Sequence, residues 1–142
     1  MIYTPNTKKA LKLCFEAHKN QVDKSGMPYV FHPFHLAEQM TDENTTIVAL
    51  LHDIVEDTDY TISDLTAMGF SKEVTDAINL MTHNGNVPYM DYVKSVAENE
   101  IAKVVKFADL KHNSDLTRLN SVSEYDVERI EKYKVAMSML SE

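Results

Sequence analysis

Apolar side chains recur along this 142-residue chain at three- and four-residue steps, the spacing that gathers them on one face of a helix. Leu11, Cys14, Phe15 and His18 follow it near the start, Ile47, Leu50, Leu51 and Ile54 in the middle, and Ile101, Val104, Val105, Ala108 and His112 later. Two-residue alternation, the mark of a half-buried strand, is nowhere sustained. The pattern predicts an all-α fold with helices at about 5–20, 33–40, 45–56, 61–68, 71–82, 88–97, 99–117 and 122–140. Local chemistry punctuates it. Pro33 suits a first helical position, which makes His32 the expected cap residue, held extended by the proline that follows. Thr61 or Ser63 and Ser71 suit N-caps, and Gly69 suits a helix end. The most turn-rich stretch is Asp23-Lys24-Ser25-Gly26-Met27-Pro28, a loop of the kind that carries binding residues between rigid helices.

Composition narrows the picture. The chain shows no repeat or linker, so residues 1–142 are expected to form a single domain. Asp and Glu number 22 against 14 Lys and Arg, a net charge of −8, which repels nucleic acid and anionic lipid. Neither is an expected partner. The single Cys14 excludes an internal disulfide and a cysteine metal cage, and fits a reducing cytoplasm. The N-terminal stretch has no unbroken apolar segment, and Ile47–Leu51 is far too short to cross a bilayer. No export or membrane anchoring is expected.

The strongest chemical signal is His52-Asp53-Ile54-Val55-Glu56-Asp57, after the apolar turn Val48-Ala49-Leu50-Leu51. On a helix His52 pairs with Glu56, and Asp53 with Asp57. Three carboxylates beside a core turn are costly unless a cation or several donors neutralise them, and a solvated helix end is the other reading. His32, before a proline, reads as either a polar cap or a ligand. Asp109, after the turn Val104–Ala108, reads as either a satisfied core-edge acid or a ligand, with His112 and Asn113 one turn on. Two histidines and two aspartates from three predicted helices form a mixed nitrogen and oxygen set suited to a divalent transition metal.

Four segments together resemble the HD-domain phosphohydrolases of the RelA/SpoT alarmone-hydrolase group, including its small stand-alone members. They are His18–Gln21, Lys24–Pro33, Ala49–Thr58 and Val105–Asn113, which follow the family's order over residues 18–113. The resemblance implies a compact multi-helix bundle, with His32, His52, Asp53 and Asp109 as metal ligands, Glu56 and Asp57 as the water-activating pair, and manganese as the metal. It also implies a substrate pocket using Lys24 and Ser25, Asn113 near the ribose, and Lys106. The implied activity is metal-dependent removal of the 3′-pyrophosphate from ppGpp, as in the stringent response. Alarmone synthesis is not expected, and homo-oligomerisation is left open.

One position departs from the family. ppGpp-hydrolysing members usually carry a basic residue just before the loop lysine, stacked on guanine, and here that residue is Asp23. A carboxylate cannot supply that contact, so base selectivity is expected to be loose. Two alternatives stay open: an HD phosphohydrolase for another nucleotide, such as NADPH or a nucleoside phosphate, and a non-catalytic nucleotide- or metal-binding module. A pure binding module would have no need of both Glu56 and Asp57.

Overall fold

All seven residues from Thr45 to Leu51 are buried, which places their helix at the centre of the molecule. The computed structural model describes residues 1–142. Its elements are α1 (Pro5–His18), α2 (Phe31–Glu38), α3 (Glu43–Leu51), α4 (Ile54–Asp57), α5 (Ile62–Ala67), α6 (Lys72–Met81), α7 (Tyr89–Ala97), α8 (Glu100–Asn113) and α9 (Glu124–Leu140), with a 3-10 turn at Leu116–Arg118. The fold is all-α. Helix α3 packs against α1, α2, α6 and α8, while α9 closes the far side over α7 and α8. Ile47, Val48, Leu50, Leu51 and Ile54 belong to one continuous core of 27 buried residues that also takes in α1, α6, α7 and α8. Truncating such a side chain, Leu50→Ala for example, costs about 2–5 kcal/mol.

The buried threonines of α3 are satisfied locally. Asp42 caps the helix, accepting from the Thr45 amide at 2.7 Å and the Thr45 hydroxyl at 2.8 Å, and Thr46 Oγ1 donates to the Asp42 carbonyl at 2.6 Å. Helices α1, α5 and α9 begin with reciprocal capping boxes, Thr4 with Thr7, Thr61 with Asp64 and Ser123 with Asp126. Ser71 caps α6. By contrast α2, α4 and α7 begin with no side-chain cap. Gly69, at φ +92°, ends the turn after α5 in a left-handed conformation that glycine adopts without steric cost, and so seats Phe70 in the core.

Two departures from the expected helices shape the site. The expected helix at 45–56 breaks after Leu51. His52 Nδ1 lies 2.8 Å from the Ala49 carbonyl, the acceptor that the Asp53 amide would use if the helix continued. Asp53 takes φ −102°, ψ 3°, and the chain restarts as α4. The second departure is at Pro33. Helix α2 begins at Phe31, so His32 is neither a cap nor extended and lies in the first helical turn, with Pro33 one position further in. A proline there loses nothing, because first-turn amides have no intrahelical partner. The entry is made by a tight turn in which the His32 amide donates to the Tyr29 carbonyl at 2.9 Å.

Candidate active site

The break at 52–53 and the early start of α2 bring three helices to one point. The potential ligand atoms of His32, His52 and Asp109 all lie within 4.8 Å of one another, and all three residues are buried. His32 Nε2 is 2.9 Å from Asp109 Oδ1, and His52 Nε2 is 3.1 Å from Asp53 Oδ2 and 3.5 Å from Asp109 Oδ1. Asp53 Oδ2 also accepts from the Tyr29 hydroxyl. Three of the four expected metal ligands therefore meet within 4.8 Å, and the fourth, Asp53, adjoins them through His52.

The donor set fits a cation. The Ala49 carbonyl can only accept, so His52 Nδ1 carries the hydrogen and Nε2 is left to face the carboxylates. That Nε2 is buried and makes no hydrogen bond within the protein, an orphaned atom aimed at two carboxylate oxygens. Burial alone would lower the His52 pKa, yet the Asp53 and Asp109 carboxylates raise it well above the usual range. Burial likewise favours a neutral Asp109, but Lys106, His32 and His52 hold its pKa well below that of an ordinary carboxylate. The carboxylates thus favour positive charge at the centre of the cluster, and its imidazole and carboxylate donors suit a divalent metal. His32 Nδ1 is 2.7 Å from His112 Nδ1. Burial, helped by Arg118, lowers the His112 pKa to about 3, so a neutral His112 can accept from His32 and leave its Nε2 to a metal.

A cavity of about 620 Å³ opens beside this cluster, lined by His32, Asp53, Glu56, Asp57 and Asp109 together with Lys24, Ser25, Lys106 and Asn113. Every residue expected to contact substrate thus lies on one wall system. Three are already engaged, Ser25 through its hydroxyl with the Arg118 carbonyl. Lys106 Nζ is 2.9 Å from Asp109 Oδ2, which compensates much of its charge. Asn113 donates from Nδ2 to Asp109 Oδ1 at 3.0 Å and accepts at Oδ1 from Arg118 at 3.2 Å. Glu56 accepts from the His83 amide of the α6–α7 loop. Burial, then the charges of Asp53 and Glu56, push Asp57 up to about 6, close to the pH at which a general base works best.

The mouth of the cavity is the 22–28 loop. Its amides at Ser25 and Met27 donate to Asp23 Oδ1 at 2.8 and 3.0 Å, and Gly26 turns the chain at φ +82°. Ser25 Oγ donates to the Arg118 carbonyl at 2.7 Å, which ties the loop to the 3-10 turn. Asp23 is therefore an organiser of loop backbone. Sequence reasoning missed Tyr29, Arg118 and Arg129, which also line the cavity. Tyr29, three residues before His32, carried a local signal; Arg118 and Arg129 lie beyond the last recognised motif and carried none.

Comparison with known proteins agrees with this geometry. The HD domain family profile matches residues 10–134. The Escherichia coli K12 bifunctional (p)ppGpp synthase/hydrolase SpoT is 31% identical over 75% of this chain, which spans only 17% of SpoT's length. The Danio rerio guanosine-3′,5′-bis(diphosphate) 3′-pyrophosphohydrolase MESH1 is 32% identical over 83% of this chain and 72% of its own. A solved structure described as a metazoan ortholog of SpoT that hydrolyzes ppGpp and plays a role in starvation responses superposes with a TM-score of 0.73 at 25% identity, covering 99% of this chain and 85% of that one.

Proposed function

The chain belongs to the HD-domain family, and from that premise we propose that it is a metal-dependent phosphohydrolase that removes the 3′-pyrophosphate of ppGpp, pppGpp or a closely related nucleotide, with manganese as its metal. The observation that carries the reading is the convergence of His32, His52 and Asp109 within 4.8 Å beside a cavity lined by Glu56, Asp57 and Asn113. A divalent metal held by His32, His52, Asp53 and Asp109 would polarise a phosphoryl oxygen and lower the pKa of water.

The protein's own residues do the rest. Tyr29 fixes the Asp53 carboxylate. Glu56, with one oxygen anchored by the His83 amide, keeps the other for orienting water. Asp57, ionised above about 6, takes the proton as the water oxygen attacks phosphorus and the bond to the ribose 3′-oxygen breaks. Asn113 stands where the ribose passes, and Lys24 and Lys106 hold phosphate oxygens. Six carboxylates line the cavity against four cations, so a polyanion enters only after a divalent cation has offset that charge.

The same reading takes residues 1–142 as one catalytic domain, supported by the single core. No helix is long and apolar enough to cross a membrane, and the free buried Cys14 supports a reducing compartment. The Asp23 departure supports a second reading, an HD phosphohydrolase for NADPH or a nucleoside phosphate. Incubating the manganese-loaded protein with a nucleotide panel and separating products by chromatography tests both. Pyrophosphate release from ppGpp is expected. Release of single phosphates from NADPH or nucleoside monophosphates alone selects the second reading, and binding without any product leaves a regulatory module.

A further inference from the structure

A continuous line of polar contacts runs along the cavity wall from the metal cluster to the mouth. Asn113 Nδ2 donates to Asp109 Oδ1 at 3.0 Å. Arg118 Nη1 donates to Asn113 Oδ1 at 3.2 Å and to the His112 carbonyl at 3.0 Å. Arg118 Nη2 then lies 3.8 Å from Asp23 Oδ2, at the loop. A nucleoside 3′-phosphate ester presents the same order of chemistry: charged phosphorus, sugar, planar base. We propose that Arg118 is the specificity-determining residue that receives the purine ring, with Asp23 as its anchor. The proposal rests on the nucleotide reading above and extends it to the base.

Three observations carry the assignment. The first is fixity. Both terminal nitrogens of Arg118 face acceptors on the wall, and Asp23 is itself held by two loop amides, so the guanidinium is preorganised.

The second is the missing aromatic partner. Of the four cations lining the cavity, Lys24 lies 5.4 Å from the Tyr125 ring, Lys106 5.3 Å from Tyr92 and Arg129 5.7 Å from Tyr133. No ring of this chain lies over Arg118, whose side chain is 25% exposed. A planar guanidinium stacks on aromatic faces, whereas an ammonium acts as a point charge.

The third is charge. The Asp23 carboxylate beside Arg118 weakens its attraction for a phosphate but leaves stacking on a neutral ring intact. Such stacking reads the presence of a purine and not its edge, so guanine and adenine are received alike.

The test is equilibrium binding to the manganese-loaded protein of guanosine 3′,5′-bisphosphate, adenosine 3′,5′-bisphosphate and inorganic pyrophosphate, the last as a ligand without a base. Arg118→Ala is expected to weaken both bisphosphates by about three- to tenfold and to leave pyrophosphate within about twofold. Arg118→Lys, which keeps the charge and loses the plane, should not restore binding. Asp23→Asn keeps the loop acceptor and should weaken both bisphosphates by a smaller factor. Pyrophosphate losing affinity in step with the nucleotides, full rescue by lysine, or unchanged nucleotide binding in a folded Arg118→Ala protein would each overturn the assignment. Wild-type protein that binds both bisphosphates in an Arg118-dependent way but hydrolyses no nucleotide would sink the hydrolase reading and leave this one standing. Hydrolysis with the same KM in wild type and Arg118→Ala would do the reverse.

Discussion

At its inner end the cavity is walled by His32 and Asp109 with His52 behind them, each buried and each on or beside a helix packed into the core; at its mouth it is walled by Asp23, Lys24 and Ser25 of a loop clipped to the 3-10 turn. The inner end is over-determined. Each ligand is held by a second group, His52 by the Ala49 carbonyl, His32 by His112, and Asp53 by Tyr29. The mouth hangs on a few contacts between segments far apart in sequence, such as Asp23 with Arg118. On the proposed function, the difference divides chemistry from selectivity. Bond breaking needs geometry that helix packing enforces, while the choice of nucleotide can be altered at the loop without disturbing the core.

The largest effect is expected at the inner end. Asp53→Ala should remove both the bound metal and the hydrolysis, with the far-ultraviolet circular dichroism largely unchanged. Elemental analysis of the purified variant checks the metal, and retention of about one ion per chain would show that Asp53 does not ligate it.

Next come Glu56 and Asp57, whose proposed role in activating water separates chemistry from metal binding. Glu56→Gln and Asp57→Asn should each lower turnover by at least about a hundredfold with metal retained. Asp57 adds a stability signature. Its carboxyl is raised from 3.8 to about 6 in the fold, so ionising it costs the folded state, and the protein loses stability as pH rises through that window. In the presence of a chelator Asp57→Asn should therefore melt higher than wild type at pH 7, with the gap closing below pH 4. A gap that is constant with pH would mean that the Asp57 carboxyl titrates normally.

The mouth should respond more mildly and in a different parameter. Asp23→Asn keeps an acceptor for the Ser25 and Met27 amides, whereas Asp23→Ala loses both and should destabilise by about 1–2 kcal/mol in urea titrations. Asp23→Arg would in addition face Arg118, so it should damage binding of every nucleotide and not simply favour guanine. An Asp23→Asn protein as inactive as Asp53→Ala would erase the distinction between the two ends.

The smallest effect tests the core that both ends share. Burial, then the Asp53 charge, pushes the Cys14 thiol from its usual 9.0 up to about 12. Folded protein at pH 9 should leave a thiol reagent unconsumed until denaturant is added, and rapid labelling without denaturant would place Cys14 outside the core.

Much of this was legible in the sequence because the helical period is local. Ile47, Leu50, Leu51 and Ile54 announced the central helix, and Thr61, Ser71 and Gly69 announced its neighbours' ends. The meeting of His32, His52 and Asp109 was legible because these residues sit in short motifs whose neighbours hold them. What the sequence hid is non-local. The split between α3 and α4 depends on the His52 ring taking a backbone carbonyl, which periodicity does not register. The α2 start depends on a turn made by Pro28 and Tyr29 rather than on Pro33. Arg118 reaches the site only because the chain after α8 folds back over the 22–28 loop.

The uneven capping of the helices bears on the order in which the molecule assembles. Helices α1, α5 and α9 satisfy their own first amides through Thr4, Thr61 and Ser123 and can begin to form from local interactions alone. The eight-residue α2 and four-residue α4, which flank the metal cluster, have no such device and depend on partners brought from elsewhere. They are the segments to lock in last, so in metal-free protein the amide hydrogens of Phe31, His32 and Phe34 and of 54–57 should exchange with solvent deuterium ahead of those in α3, and a bound divalent ion, by tying α2 to α8, should slow the first group selectively.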